Sequence, residues 1–153
     1  MPDLLAGSTV QALDTPPAVA DDEATTFTFN DTSYGVDADT GSPGDCGVAF
    51  VAPTTGRVII LFRCFIDNNG ANFSRLAPHV RTGSTVGSGT DVYAASDVDA
   101  ITNDSNGDGE TACSFVVVTG LTAGNDYNVR LEHRATAGIG TITRRSVAVI
   151  PLS

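Results

Sequence analysis

The sequence predicts an all-β protein, an antiparallel sandwich of about eight strands. Three observations carry that reading. Short stretches rich in Val, Ile, Thr and Phe recur along most of the chain. Gly, Asn, Asp and Pro turn signals separate them. No stretch repeats its apolar residues with the 3.6-residue period of a helix. At 153 residues the chain fits one domain with a real core.

Residues 1–24 show no sustained period and read as an extended arm before a domain at 25–153. Within the arm, Asp14-Thr15-Pro16-Pro17 favours a polyproline-like path. Leu4, Leu5, Val10 and Leu13 are too sparse for a core of their own and, with Pro16 and Pro17, are candidates for holding a partner surface. "TTFTFN" (25–30) alternates Phe27 and Phe29 with threonines, as a half-buried strand does. "CGVAFVAP" (46–53) is a second strand, closed by Pro53 and the Thr54-Thr55-Gly56 turn.

"RVIILFRCFID" (57–67) is apolar on both faces apart from Arg63, the pattern of a central strand covered on both sides. Asp67-Asn68-Asn69-Gly70 turns the chain into "RLAPHVR" (75–81). A glycine-rich segment, "TGSTVGSGT", leads to a short "DVYAAS" strand. "ACSFVVVTG" (112–120) is strongly β-branched. In "GLTAGNDYNVRLEHR" (120–134), Tyr127, Val129, Leu131 and His133 share one face, and Asn128, Arg130, Glu132 and Arg134 the other. "GTITRRSVAVIPL" (140–152) is the last strand. Eight short strands joined by tight turns fit a jelly roll best. The expected core is Phe50, Val58, Ile60, Phe62, Cys64, Phe115, Val117, Val129 and Leu131.

The net charge is −10, and Asp3, Asp14, Asp21, Asp22, Glu23, Asp31, Asp37, Asp39 and Asp45 put nine acids and no base in the first 45 residues. Such a surface repels phosphate, so no nucleic-acid partner is expected. Neither a membrane span nor the basic start and apolar core of a signal peptide is found, so the expectation is a soluble chain made in the cytoplasm. Cys46, Cys64 and Cys113 are odd in number and lack C-x-x-C spacing, which predicts buried free thiols.

Few residues propose chemistry. "DSNGDGE" (104–110) sets Asp104, Asn106 and Asp108 at calcium-loop spacing, but the twelfth position, where a bidentate acid is needed, is Phe115. It reads as a loop tip, with no metal. His79 and His133 show no ligand spacing and no evident carboxylate partner, so they read as structural. There is no G-x-S-x-G elbow, and the absence of lysine excludes a Schiff base and a P-loop. No catalytic residue and no cofactor is expected, and the chain is not read as an enzyme. Arg130, Glu132 and Arg134, followed by Arg144 and Arg145, form either plain solvent surface or a subunit contact built on Arg–carboxylate pairs.

Taken together, "AGSTVQALDTPP", "GVAFVAPTTGRV", "DNNG", "LAPHVRTGSTVGSGT" and "GLTAGNDYNVRLEHR", in that order, resemble small β virion proteins of actinobacterial phages. The resemblance spans nearly the whole chain. It implies a jelly roll like that of tumour necrosis factor, a homotrimer, and display on a phage particle with no catalytic residues. Two roles follow from it as expectations. One is a decoration protein on the outer surface of the head, bound to the major capsid protein through the arm. The other is a tail-tip or fibre head that binds host surface glycans. The short pre-domain segment favours decoration.

Overall fold

A computed structural model describes residues 16–103 and 108–152. Among the described residues there are ten strands: β1 (Val19–Glu23), β2 (Phe27–Phe29), β3 (Gly47–Val51), β4 (Val58–Asn68), β5 (Ser74–Thr82), β6 (Asp91–Tyr93), β7 (Ile101–Thr102), β8 (Glu110–Val118), β9 (Asp126–Ala135) and β10 (Gly140–Pro151). No helix among the described residues is long and apolar enough to cross a membrane.

The strands form two antiparallel sheets. The first runs β1-β10-β4-β8 with β2 also on β10, and the second runs β3-β9-β5-β6 with β7 also on β5. Setting aside the short β2 and β7, the eight remaining strands switch between the sheets in the order of a jelly roll. Facing rows of Phe27, Phe29, Ile60, Phe62 and Val147 from the first sheet, and Leu76, Val80, Val129 and Leu131 from the second, fill the space between.

Most expected strands fall where alternation placed them, and β9 buries Tyr127, Val129, Leu131 and His133 as read. Pro78 sits in the middle of β5 without breaking it. The strand's outer edge is covered by two short pieces, β7 opposite Arg75–Leu76 and β6 opposite Val80–Arg81. Pro78, which has no N–H to give, falls in the gap between them.

The structure corrects several expectations. Val19–Glu23 is no part of an arm, since it pairs with Glu23↔Arg145 through Val19↔Val149 of β10 and supplies a strand the jelly roll needs. Its "VADDE" sequence hides this, because an edge strand can be acidic on the side that meets water. Phe115 and Val117 are not core; they are 62% and 42% exposed. The pairings Val58↔Val118 and Ile60↔Val116 turn the even-numbered residues of β8 inward, which turns Phe115 and Val117 out. For the same reason β4 is buried on one face only, and Leu61 and Arg63 are exposed on the other. Cys46 and Cys64 are buried, and burial pushes both thiols up to about 12, whereas Cys113 is exposed.

The last correction concerns Arg145. A bulge between Thr143 and Ser146 shifts the register of β10 against β4, with Arg144 at φ 55°. Ile142 faces in before the bulge, and Val147 and Val149 face in after it. The extra residue carries Arg145 inward too, to 1% exposure, so it is not available to a partner subunit. Its guanidinium lies 4.7 Å from the centre of the Phe27 ring and donates from Nη2 to the Gly44 carbonyl at 2.8 Å. Burial lowers its pKa.

Candidate functional site

The two outer faces of the sandwich differ in chemistry. On the second sheet, β5 turns out Arg75, His79 and Arg81, and β9 turns out Asn128, Arg130, Glu132 and Arg134. Pairings such as His79↔Arg130 and Arg75↔Arg134 place these side chains side by side. They assemble into two ion-pair clusters.

Glu132 is the centre of the first. Its carboxylate, 3% exposed, accepts from Arg81 Nη1 and Arg130 Nη2 at 3.0 Å each, and His79 Nδ1 lies 2.9 Å from it. His79 Nε2 lies 2.8 Å from Asp91, which also accepts from Arg81 Nε at 3.0 Å. The sequence offered His79 no carboxylate partner; the fold supplies two. Burial works to raise the Glu132 pKa, but hydrogen bonds from His79 and Arg130 outweigh it and hold the carboxyl below its usual value.

Asp97 is the centre of the second cluster. Arg134 Nε donates to it at 2.8 Å, Tyr34 Oη at 3.1 Å, and Arg75 closes an ion pair. Bonds from Arg134, ahead of those from Arg75 and Tyr34, hold its carboxyl well below the carboxylate range. A cleft of about 390 Å³ lies against these clusters, lined by Tyr34, Val36, His79, Arg81 and Glu132 among others. Arg130, Glu132 and Arg134 are thus engaged within their own chain, and Arg144 stands apart from them on the exposed bulge of the other sheet.

The glycine-rich segment has a structural task here. Asn128 Nδ2 donates to the carbonyls of Gly83 and Ser88 at 3.0 Å, and its Oδ1 accepts from Gly87 N at 3.0 Å. Gly87 adopts φ 77° directly beneath the Arg130 guanidinium, where a Cβ would collide with it.

His133 points the other way, into the core. Its ring sits 4.8 Å from that of Phe27 and 4.3 Å from that of Phe29. Nε2 donates to the Asp37 carbonyl at 2.8 Å, and Nδ1 has no partner. Burial, reinforced by Arg145, lowers its pKa. It is a neutral structural histidine that straps the 31–40 segment to β9, a link completed by backbone bonds between Gly35 and His133.

The outer face of the first sheet is mostly apolar. Strand registers set its side chains in rows across the sheet: Ala20, Ala148, Leu61 and Phe115 in one, and Ile150, Ile59 and Val117 in the next. A third row holds Asp22, Ser146, Arg63 and Cys113. Within it Arg63 Nε donates to Ser146 Oγ at 3.1 Å, and Ser146 donates to Asp22. The small Ala20, Ala148 and Ser146 on β1 and β10, beside the larger Leu61 and Phe115 on β4 and β8, make a shallow groove of about 780 Å³. Sequence reasoning missed this groove by assigning Phe115 and Val117 to the core.

Among the described residues no group of three or more His, Cys, Asp or Glu side chains is placed to hold a metal ion. Asp104 and Asn106 of the calcium-like stretch lie outside the described residues, as do Leu4, Leu5, Val10 and Leu13 of the arm. Pro16 and Pro17 lead into β1, with Pro17 exposed.

No family model matches the chain, and no curated protein matches it in sequence. Among solved structures it is similar to the Eiger TNF of S. frugiperda at 11% identity and a TM-score of 0.45, over 90% of this chain and 94% of that one. A xylan-binding domain from Paenibacillus barcinonensis is similar at 8% identity and a TM-score of 0.38, over 88% and 95% of the two chains. A chain of the IBDV viral particle is similar at 9% identity and a TM-score of 0.39, over 91% of this chain and 36% of that one. At such identities and scores none of these bears on function, and the jelly-roll assignment rests on the strand order itself.

Proposed function

We propose that this chain is a structural protein of a phage particle, a trimeric decoration protein on the outer surface of the head, bound to the major capsid protein. The observation that carries the reading is the contrast between the two outer faces. On the second sheet the charges of Arg81, Arg130, Arg134, Glu132 and Asp97 are paired with one another. On the first sheet an apolar face of Leu61, Phe115 and Val117 stands uncovered, as a surface that assembles with protein does. The sequence motifs quoted above support the phage assignment, and the acidic charge fits a basic protein partner better than nucleic acid.

In this reading the residues before β1 anchor the protein. Leu4, Leu5, Val10 and Leu13, with Pro16 and Pro17, supply apolar contacts to the shell, and Asp3 and Asp14 meet its basic groups. The jelly roll projects outward. The test is to image particles carrying gold-labelled antibody against this protein. Label distributed over heads supports the reading; label confined to tails overturns it in favour of a fibre head that binds host glycans.

A further inference from the structure

We propose that the cleft on the outer face of the second sheet binds a neutral saccharide. Such a site belongs to the chain whether heads or tails of a particle carry it.

The walls of the cleft are the first ground. Residues 34–37 form one, and Ala94 and Ala95 the other. Both are fixed before any ligand arrives. The first is tied to β9 by the backbone bonds between Gly35 and His133 and by His133 Nε2, which donates to the Asp37 carbonyl. The second leads into Asp97, which accepts from Arg134 Nε on β9. Tyr34 Oη donates to Asp97 at 3.1 Å, so one hydrogen bond joins the two walls. A site already ordered loses little freedom when it fills. Its volume of about 390 Å³ falls in the range of about 300–1,000 Å³ typical of small-molecule sites.

The chemistry of the lining names the ligand class. Its arginines and acids balance, Arg81 and Arg130 against Glu132 and Asp37. His79 is bound at both ring nitrogens, to Glu132 and to Asp91. An ionic ligand therefore meets no net countercharge in the cleft, and the chain's charge of −10 repels anions on approach. What the floor offers is hydrogen bonding. Each guanidinium carries five N–H donors, and the pairs with Glu132, Asp91 and Asp45 leave some on both arginines uncommitted. Asp37 is exposed and forms no ion pair among the described residues. Guanidinium beside carboxylate suits a ligand that donates and accepts at neighbouring atoms, as adjacent hydroxyls of a sugar ring do. Tyr34, Val36, Ala94 and Ala95 give its C–H surface an apolar wall. A wholly apolar ligand would instead bury these polar groups without partners. The cleft also lies on the opposite side of the sandwich from Leu61 and Phe115, so a protein covering that face leaves it open.

The test is titration of the full chain with maltose, cellobiose, lactose, mannobiose and sialyllactose, followed by amide shifts in NMR spectra, with circular dichroism to confirm that each variant is folded. At least one neutral disaccharide is expected to bind saturably, with shifts concentrated at residues 34–37 and 94–95. Ala95→Tyr fills the cleft without touching an ion pair and is expected to weaken that binding about tenfold or more. Asp37→Asn keeps the carbonyl bonded to His133 and is expected to weaken it about fivefold. Phe115→Asp, on the other face, should bind as the wild type does. Failure of all four neutral sugars to bind overturns the proposal, as does binding that survives both cleft variants. Tighter binding of sialyllactose than of lactose overturns the neutral class. Binding lost in Phe115→Asp and kept in Ala95→Tyr moves the sugar to the apolar face and overturns the cleft.

Discussion

The guanidinium of Arg145 packs over the ring of Phe27 inside the sandwich, 4.7 Å from its centre, with no carboxylate in ion-pair contact among the described residues. Taking such a cation out of water is costly, and a cation–π contact worth about 2 kcal/mol when desolvated offsets only part of it. Arg145→Met keeps the length and apolar packing and removes the charge. Its urea midpoint is expected to equal or exceed that of the wild type, whereas Arg145→Ala, which leaves a void, is expected to lose about 2–5 kcal/mol. A Met variant as unstable as the Ala variant would show that the charge itself is needed.

His133 is expected to make the stability of the protein depend on pH. Its folded pKa is lowered from 6.5, chiefly by burial. Above that value the ring is neutral in both states and adds nothing. As the pH falls below it, the unfolded chain takes up a proton that the folded chain refuses, and stability drops by up to about 1.4 kcal/mol per pH unit until the folded pKa is reached. Asp97 and Glu132, whose folded pKa values are also lowered, contribute stability that is lost only at lower pH, below the ordinary carboxyl values of 3.8 and 4.5. Urea melts between pH 7 and 5 should therefore slope, and His133→Phe should flatten them. An unchanged slope in that variant assigns the dependence elsewhere.

Glu132 holds the second sheet's outer cluster together. Glu132→Gln keeps the shape but strips Arg81, Arg130 and His79 of their shared carboxylate. Breaking a buried ion pair from one side costs on the order of 3 kcal/mol. A chemical denaturation loss under about 1 kcal/mol would mean that water replaces the carboxylate readily.

Phe62 and Phe115 lie on neighbouring strands and should behave in opposite ways. Phe62 faces the core, and Phe62→Ala is expected to cost on the order of 3–5 kcal/mol. Phe115→Ala, measured below the concentration at which copies associate, should change stability by about 0.5 kcal/mol or less. Equal losses would contradict the phase of β8.

Truncation tests the proposed anchor apart from the domain. Removing residues 1–15 is expected to leave the melting curve unchanged and to abolish recovery with purified capsids. Removing residues 1–23 also takes away β1, its five pairs with β10 and the bond from Gly47 N to Asp21, so the fold itself should weaken. Wild-type capsid occupancy by the shorter truncation would place the attachment elsewhere.

The sequence by itself determined the fold class and most of the strands. Alternation in "DYNVRLEHR" told the buried face of β9 from its charged one because only one set of its residues is apolar. Turn chemistry at Thr54-Thr55-Gly56 and Asp67-Asn68-Asn69-Gly70 marked strand ends because those conformations favour few residue types. What only the tertiary structure decided is phase and partnership. In "CSFVVV" both alternating sets contain apolar residues, so periodicity leaves two equivalent answers, and pairing with β4 chooses between them. A bulge reverses phase without any reliable local signal, which is how Arg145 came to be inside and Arg144 outside. The clusters at Glu132 and Asp97 join residues as far as 53 and 63 positions apart, and the acidic β1 becomes a strand only because β10 lies beside it. Local propensity encodes none of these, since each is a contact that exists only after the two sheets have closed.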